Sequence, residues 1–384
     1  MKIGIVCPYD MFGPGGVQEV VRASYQLLTE RGHEVKIISP RPRRYKHKPP
    51  KDYILIGQSA NISSIFKTKA QVSAAVDIDA IEQVLDAEKF DVLHFHEPWV
   101  PMVSRQILMR SKAKNIATFH AKLPDTLLSK SIEATITPYL RPMLQYFQAF
   151  TAVSEAAAAW TKNITNEPIV IIPNGIDLQT YDVPKQPSVP KKLPKTIQLI
   201  RRKTPRHTIL YIGRLEKRKG VKYLIKAYQE LRLKRDDVRL IIGGQGDLRA
   251  SLEMYVRDNH IKDVTFLGFV SDKQKLALLR EATVFCSPAI YGESFGIVLL
   301  EAMACGVVTV AGDNPGYATV MTDTGRLSLV DPKNEEEFVR RLDLLLDDET
   351  LRAVWLSWAR TAIKQYDYNL VIDQYEKLYQ DALS

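Results

Sequence analysis

The chain of 384 residues has only three cysteines, Cys7, Cys286 and Cys305, and they are widely scattered. That is too few for a disulfide framework or a cysteine-rich metal site, so stability must come from buried apolar surface. Long uncharged apolar runs are also missing: none approaches the about 18 residues that a membrane-spanning helix needs. The opening Lys2-Ile3-Gly4-Ile5-Val6 lacks the basic segment and extended apolar stretch of a secretory leader, and a cytoplasmic protein is expected. Apart from Tyr45 the basic runs lack the interleaved aromatics of a single-strand groove, and no helix-turn-helix or zinc-finger spacing occurs, so specific nucleic-acid binding is not expected. No feature points to a protein partner.

What remains is globular in character. A composition of 45% hydrophobic and 25% charged residues excludes disordered, collagenous and coiled-coil classes. The length suits two domains. The net charge of +9 is uneven: residues 1–183 sum to +3, residues 184–206 to +8 and residues 207–384 to −2. Most of the surplus therefore sits in one short Pro-rich segment. A second basic run, Arg41, Arg43, Arg44, Lys46, Lys48 and Lys51, lies among Pro40, Pro42, Pro49 and Pro50. Such patches either attract phosphates of nucleotides and anionic lipids or serve as solubilising linker and loop.

Two halves alternate strand and helix patterns. Short β-branched runs at 2–7, 34–38, 92–95, 115–119, 150–153 and 169–172 read as strands buried on both faces. Helical patterns at 17–31, 78–88, 100–112, 132–148 and 155–163 supply the crossovers, Gly32 ends the first, and Asn174-Gly175 reads as a turn. The pattern restarts with strands at 208–212, 238–242, 264–267, 283–287 and 307–311, and helices at 220–234, 247–258, 272–281 and 294–304. Further helices follow at 334–346, 350–364 and 368–382. The last carries Tyr368, Ile372, Tyr375 and Tyr379 on one face, which needs a partner. The fold class is α/β with two open parallel-sheet domains. Residues 1–183 form the first, 184–206 the linker, 207–365 the second, and 366–384 a helix returning to the first. Ligands are expected outside the carboxyl ends of the strands, in an interdomain cleft.

Candidate residues follow from that placement. Gly13, Gly15 and Gly16 lie between the first strand and helix, where exposed amides favour an anion, although the spacing is neither G-x-G-x-x-G nor a nucleoside-triphosphate loop. His94, His96 and Glu97 end another strand. Metal ligation, a site wall and local packing are all open there, and no third ligand is suggested by spacing. His120 ends the next strand, where a neutral imidazole can donate or accept. Arg214 and Lys219 follow the first strand of the second half and suit a diphosphate. In Tyr291-Gly292-Glu293-Ser294-Phe295-Gly296, Ser294 is placed to cap a helix whose first amides would meet phosphate. Glu301, eight positions beyond Glu293, must turn inward among Leu299, Leu300 and Met303 and then needs donors.

The set Gly15-Gly16, His120, Pro173-Asn174-Gly175-Ile176-Asp177, Gly213-Arg214, Arg218-Lys219-Gly220, Glu293-Ser294-Phe295-Gly296 and Glu301 resembles the retaining nucleotide-sugar glycosyltransferases of family 4. Within that family, Ile5-Val6-Cys7-Pro8-Tyr9, Gly15-Gly16-Val17-Gln18, Asp91-Val92-Leu93-His94-Phe95-His96-Glu97-Pro98 and Ala117-Thr118-Phe119-His120 resemble the phosphatidylinositol mannosyltransferases. The resemblance implies two facing Rossmann-like domains of the GT-B kind. It implies transfer of mannose from GDP-mannose to the inositol of a membrane lipid, with retention, no metal, and a peripheral position on the inner face of the cell membrane. It assigns catalysis to His120, Arg214, Lys219 and Glu293, and the nucleotide sugar to Gly15, Gly16, Arg214, Lys219, Phe295, Gly296 and Glu301. Tyr9, Gln18 and Glu97 fall on the acceptor side. The family's basic membrane-facing helix is replaced by Val76-Asp77-Ile78-Asp79-Ala80-Ile81-Glu82, which is acidic. Other readings are a hexosyltransferase acting on diacylglycerol or a soluble saccharide, a nucleotide-sugar 2-epimerase, and a noncatalytic binding protein.

Overall fold

The computed structural model describes residues 1–13, 15–42, 45, 47–63, 69–75, 77–100, 103–121, 137, 138, 140–181 and 207–384. The 184–206 linker, Arg43, Arg44, Lys46, Val76 and part of the expected 132–148 helix lie outside them. The chain divides into two compact units: Met1–Gly175 with Tyr368–Ser384, and Ile176–Asp367.

The first unit is built on eight strands: β1 (Lys2–Val6), β2 (Glu34–Arg41), β3 (Tyr53–Ser63), β4 (Lys69–Ala75), β5 (Val92–His96), β6 (Lys114–Phe119), β7 (Ala149–Ala152) and β8 (Ile169–Ile171). Their order is β4-β3-β2-β1-β5-β6-β7-β8. Pairing is parallel except between β3 and β4. Helices α1 (Gly16–Glu30), α2 (Ile78–Glu88), α3 (Val103–Arg110) and α4 (Glu155–Thr161) connect the strands. Ile3, Ile5, Val6, Leu93, Phe95 and Ile116 are fully buried, as strands covered on both faces require. The β3–β4 pair was not expected from the sequence. It forms the sheet's rim, where apolar patterning is not needed, and Gly57 at φ 69° lies just before it, where β3 shifts register against β2.

The returning helix α13 (Tyr368–Leu383; α5 to α12 belong to the second unit, below) packs on this sheet beside α1, as its apolar face required. Val371, Ile372, Tyr375 and Tyr379 are buried against Ile3, Ile5, Val21, Leu28 and Val92. Arg31, just past the end of α1, pins the helix by pairing with Asp373 and Glu376 and donating to the Asn369 carbonyl at 3.0 Å. The two chain crossings run side by side: the Ile176 N–H donates to the Tyr366 carbonyl at 2.8 Å, and a Cβ on Gly175 would lie 2.3 Å from the Tyr368 ring. Asn174-Gly175 is thus a crossing between units, where only glycine leaves room for that ring.

The second unit has helix α5 (Leu178–Tyr181) and six parallel strands: β9 (His207–Ile212), β10 (Val238–Gly243), β11 (Val264–Gly268), β12 (Val284–Ser287), β13 (Val308–Gly312) and β14 (Leu329–Val330). Their order is β11-β10-β9-β12-β13-β14. Around them lie α6 (Val221–Lys234), α7 (Arg249–Asp258), α8 (Asp272–Glu281), α9 (Ile297–Ala304), α10 (Pro315–Val320), α11 (Glu335–Asp347) and α12 (Glu349–Ala362).

Tyr379 tests how α13 is held. It is fully buried, and its hydroxyl donates to His94 Nδ1 at 2.7 Å. Tyr379→Ala should cost about 3–5 kcal/mol, the range for deleting a buried aromatic, and Tyr379→Phe only about 1–3, the cost of leaving one buried acceptor unmet. Denaturant unfolding monitored on the first unit measures both; an unchanged midpoint for Tyr379→Ala would contradict this packing.

Candidate active site

Open parallel sheets present chemistry at the carboxyl ends of the strands flanking the reversal of strand order. In the first unit the reversal lies between β1 and β5. Tyr9 follows β1, Glu97 follows β5 and His120 follows β6, so these three share one end of the sheet. Gly15 is the N-cap of α1 and Gly16 is its exposed first residue. Gln18 ties this turn down: its Nε2 donates to the Asp10 carbonyl at 3.3 Å.

Glu97 is 1% exposed and takes a left-handed φ of 49°, a strained state for a residue with a side chain. Its carboxylate holds the end of β6, accepting the His120 N–H at 2.8 Å and the Trp99 indole N–H. Burial pushes its pKa up to about 7, against the pull of those donors.

His120 is only 6% exposed. Its Nε2 lies 2.7 Å from His96 Nδ1, with the two rings end to end and nearly coplanar. His94 and His96 are fully buried too, which favours the packing reading for both. The Ala117 carbonyl can only accept, and it fixes the direction of the hydrogen bonds around His94. Thr151 donates to that carbonyl at 3.1 Å and therefore accepts from Thr118, whose oxygen accepts from His94 Nε2 at 2.6 Å. Nδ1 of His94 is left to accept from Tyr379. Burial lowers His94 and His120 to about 3 and His96 well below its ordinary value.

In the second unit the reversal lies between β9 and β12. Arg214 follows β9, and a single 3-10 turn, Lys217–Lys219, comes before α6. Glu293 follows β12. Its carboxylate meets Arg218 at 2.6 Å and Lys219 at 2.8 Å. Burial alone would raise the Glu293 pKa; Lys219 and Arg218 outweigh it and hold the carboxyl below its ordinary value. Arg214 pairs with Glu216 at 2.9 Å, yet 48% of its side chain is exposed. Gly220 has φ 71°, and a Cβ there would lie 1.9 Å from the Pro288 carbonyl oxygen, so glycine alone lets the 217–219 turn reach the end of β12.

Helix α9 begins at Ile297 with Gly296 as its N-cap, without a side-chain cap, so Ser294 does not cap it as expected. The φ of 119° at Gly296 explains the difference, because the chain turns into the helix through a conformation that glycine adopts. Phe295 is 2% exposed, its ring edge-on to Tyr366, which leaves only its backbone for a ligand. Glu301 is buried, as expected, and Lys275 and the Tyr181 hydroxyl both donate to its Oε1. Among the described residues no group of three or more His, Cys, Asp or Glu is placed to hold a metal ion.

The family described as Glycosyltransferase Family 4 matches residues 14–180, and that described as Glycosyl transferases group 1 matches residues 195–362. The phosphatidyl-myo-inositol mannosyltransferase of Mycolicibacterium smegmatis is 31% identical over 99% of this chain and 94% of that protein. The enzyme of the same name from Mycobacterium tuberculosis is 32% identical over 99% and 97%. The chain belongs to glycosyltransferase family 4. Among solved structures, Anabaena Alr3699/HepE in complex with UDP superposes with a TM-score of 0.76 at 18% identity, covering 99% of this chain and 100% of that one. The fold is therefore GT-B, and this family 4 protein is a nucleotide-sugar-dependent glycosyltransferase.

Several residues of this site gave no local signal. Lys275 lies 26 positions from Glu301 on another helix, and Tyr181 lies 120 positions away. Arg218 stood in a recognised motif without a role. For His96 the sequence leaves metal ligation, a site wall and packing open, while its contact with His120 comes only from the pairing of β5 with β6.

The buried histidines make stability depend on pH. Their folded pKa values lie below the unfolded value near 6.5, so their contribution is lost as pH falls below about 6.5. Glu97 has the opposite sign: its raised value favours the folded state at low pH, and that advantage is lost as pH rises from about 4.5 through 7. Three histidines against one carboxyl leave a net of about two protons, or at most about 2.7 kcal/mol lost per pH unit near pH 5–6. Thermal melting from pH 7.5 to 5 should show this fall, with His94→Gln removing about one proton of it. A midpoint independent of pH would contradict the neutral cluster.

Proposed function

We propose that the protein is a retaining hexosyltransferase that moves mannose from GDP-mannose to the inositol headgroup of a phosphatidylinositol-type lipid. The observation that carries this reading is the end-to-end likeness to two phosphatidyl-myo-inositol mannosyltransferases, spanning 99% of the chain.

The second unit takes the donor. Arg214, half-exposed, and Lys219 bind the diphosphate, joined by the amides near Phe295 and Gly296 and by Gly15 and Gly16 of the first unit. Lys219 is already neutralised by Glu293, so a diphosphate must share it, while Glu293 also contacts the sugar. Glu301 holds the nucleotide ribose with the oxygen that Lys275 and Tyr181 leave free. The acceptor hydroxyl attacks from the face that the diphosphate leaves, and the leaving phosphate takes its proton. No protein nucleophile is needed; the protein's work is positioning and charge stabilisation. His120 contacts a sugar oxygen near the reacting carbon, and Tyr9 and Glu97 line the acceptor side. Arg214, Lys219 and the start of α9 supply the positive potential, so no metal is required.

The membrane enters through the first unit. Exposed Phe12 packs on Tyr45 with ring centroids 4.6 Å apart, beside the basic run that includes Arg41, Lys48 and Lys51. An aromatic tip among basic residues suits the inner face of an anionic membrane, each near-surface cation contributing about 1 kcal/mol. No helix among the described residues is long and apolar enough to cross a membrane. The acidic α2 spends Glu82 on Arg110 and Asp86 on Lys112, and leaves docking to the 41–51 run.

Kinetics on phosphatidylinositol vesicles test both halves. Arg214→Ala and Lys219→Ala should each slow transfer by roughly tenfold or more, about 1.4 kcal/mol, mainly through turnover. Neutralising Arg41, Lys48 and Lys51 should weaken vesicle flotation and lipid-dependent transfer together. Near-normal rates for both donor-side variants would overturn the diphosphate assignment. Equal transfer to soluble acceptors without vesicle association would overturn the lipid acceptor and favour a soluble saccharide.

A further inference from the structure

We propose that His96 is a positioning residue that fixes His120 as the neutral tautomer protonated on Nδ1, so that His120 meets its substrate as a hydrogen-bond donor and not as a base. The tautomer follows from geometry within the first unit; its use in transfer rests on the reading that His120 contacts the sugar.

The pairing comes from the sheet. Strands β5 and β6 run parallel with His96 opposite Thr118, which puts His120, two residues on, over the same face. The rings lie end to end, with centroids 5.0 Å apart and planes 26° apart, and His96 Nδ1 lies 2.7 Å from His120 Nε2. One proton lies between those two nitrogens, so one ring donates and the other accepts.

The remaining nitrogen of His96 decides which. His96 Nε2 is buried and has no hydrogen-bond partner. If His120 donated, a neutral His96 would carry its own proton on Nε2, leaving a buried N–H with no acceptor. If His96 donates from Nδ1, the unmet atom is a lone pair, and orphaned donors are the rarer of the two in folded proteins. The second arrangement obliges His120 to carry its proton on Nδ1. That is the minor tautomer of free histidine, so its presence is diagnostic of an imposed hydrogen bond.

The surroundings keep the pair neutral. His94 lies against His96 with centroids 4.3 Å apart, and its own nitrogens are committed to Tyr379 and Thr118. The nearest carboxyl, Glu97, spends Oε1 on the backbone N–H of His120 and Oε2 on Trp99, not on either ring. Helix α13 brings Tyr375 against His94 and no acid against the pair. With Nε2 engaged, Nδ1 is the nitrogen of His120 left for a ligand, and there it offers an N–H to a hexose oxygen.

Histidine-selective 15N labelling with long-range 1H–15N correlation reads the tautomer without any turnover. At pH 7 the wild type should show His120 with Nδ1 at a protonated-type shift and Nε2 at an unprotonated-type shift. His96→Leu should return His120 to the ordinary Nε2–H form and lower kcat by roughly tenfold with the Kd for GDP unchanged. His96→Asn, whose amide can donate from nearly the same place, should restore the Nδ1–H form and most of the turnover. An Nε2–H or charged His120 in the wild type overturns the proposal, as does an unchanged tautomer in a folded His96→Leu protein. Normal transfer by His120→Ala, with the Nδ1–H tautomer present in the wild type, would instead overturn the sugar-contact reading and leave the tautomer standing.

Discussion

The carboxylate of Glu293 holds the strand ends of the second unit together. It lies 2.6 Å from Arg218 and 2.8 Å from Lys219, all three largely removed from water. Without it the end of the second sheet would carry two poorly solvated cations, and breaking such a buried pair typically costs about 3–5 kcal/mol. The surrounding backbone is shaped to make the pairing: Gly220 lets the 217–219 turn meet Pro288, and Arg218 reaches across to the Gly292 carbonyl at 3.2 Å. Gly296 then carries the chain into α9. The charges at these strand ends are thus assembled by the protein alone, and of the three cations only half-exposed Arg214 stands partly in water.

The first unit solves a similar problem with neutral groups. Its strands end in three histidines and a glutamate that are almost wholly buried, and each needs partners that the sheet alone does not supply. Helix α13 supplies one set, since Tyr379 satisfies His94 and Tyr375 packs on its ring. Glu97 supplies another by holding the backbone of His120. The helix that covers the apolar face thereby also sets the hydrogen bonds beneath the strand ends.

Most of the architecture was legible because buried parallel strands are short, apolar and regularly spaced between helical patterns. The Tyr368, Ile372, Tyr375 and Tyr379 stripe announced a docked helix, which the structure confirms. The β3–β4 rim was not legible, since an outer strand pair needs no continuous apolar run. His120, Arg214 and Glu293 do follow the strands that the pattern placed before them. What escaped was partnership between distant segments, such as Lys275 and Tyr181 on Glu301, or His96 on His120. The Ser294 cap failed for a local reason, because a glycine at positive φ began the helix instead.

The central claim is retaining transfer of mannose to an inositol lipid, driven by prearranged protein charge without a metal. The most direct test is incubation of the protein with GDP-mannose labelled in the sugar and vesicles containing phosphatidylinositol, in excess chelator, followed by NMR of the purified product. The account predicts a mannosyl lipid with the α configuration of the donor preserved, formed at the same rate with and without chelator. A β-linked product, or transfer that appears only when a divalent cation is restored, would contradict it.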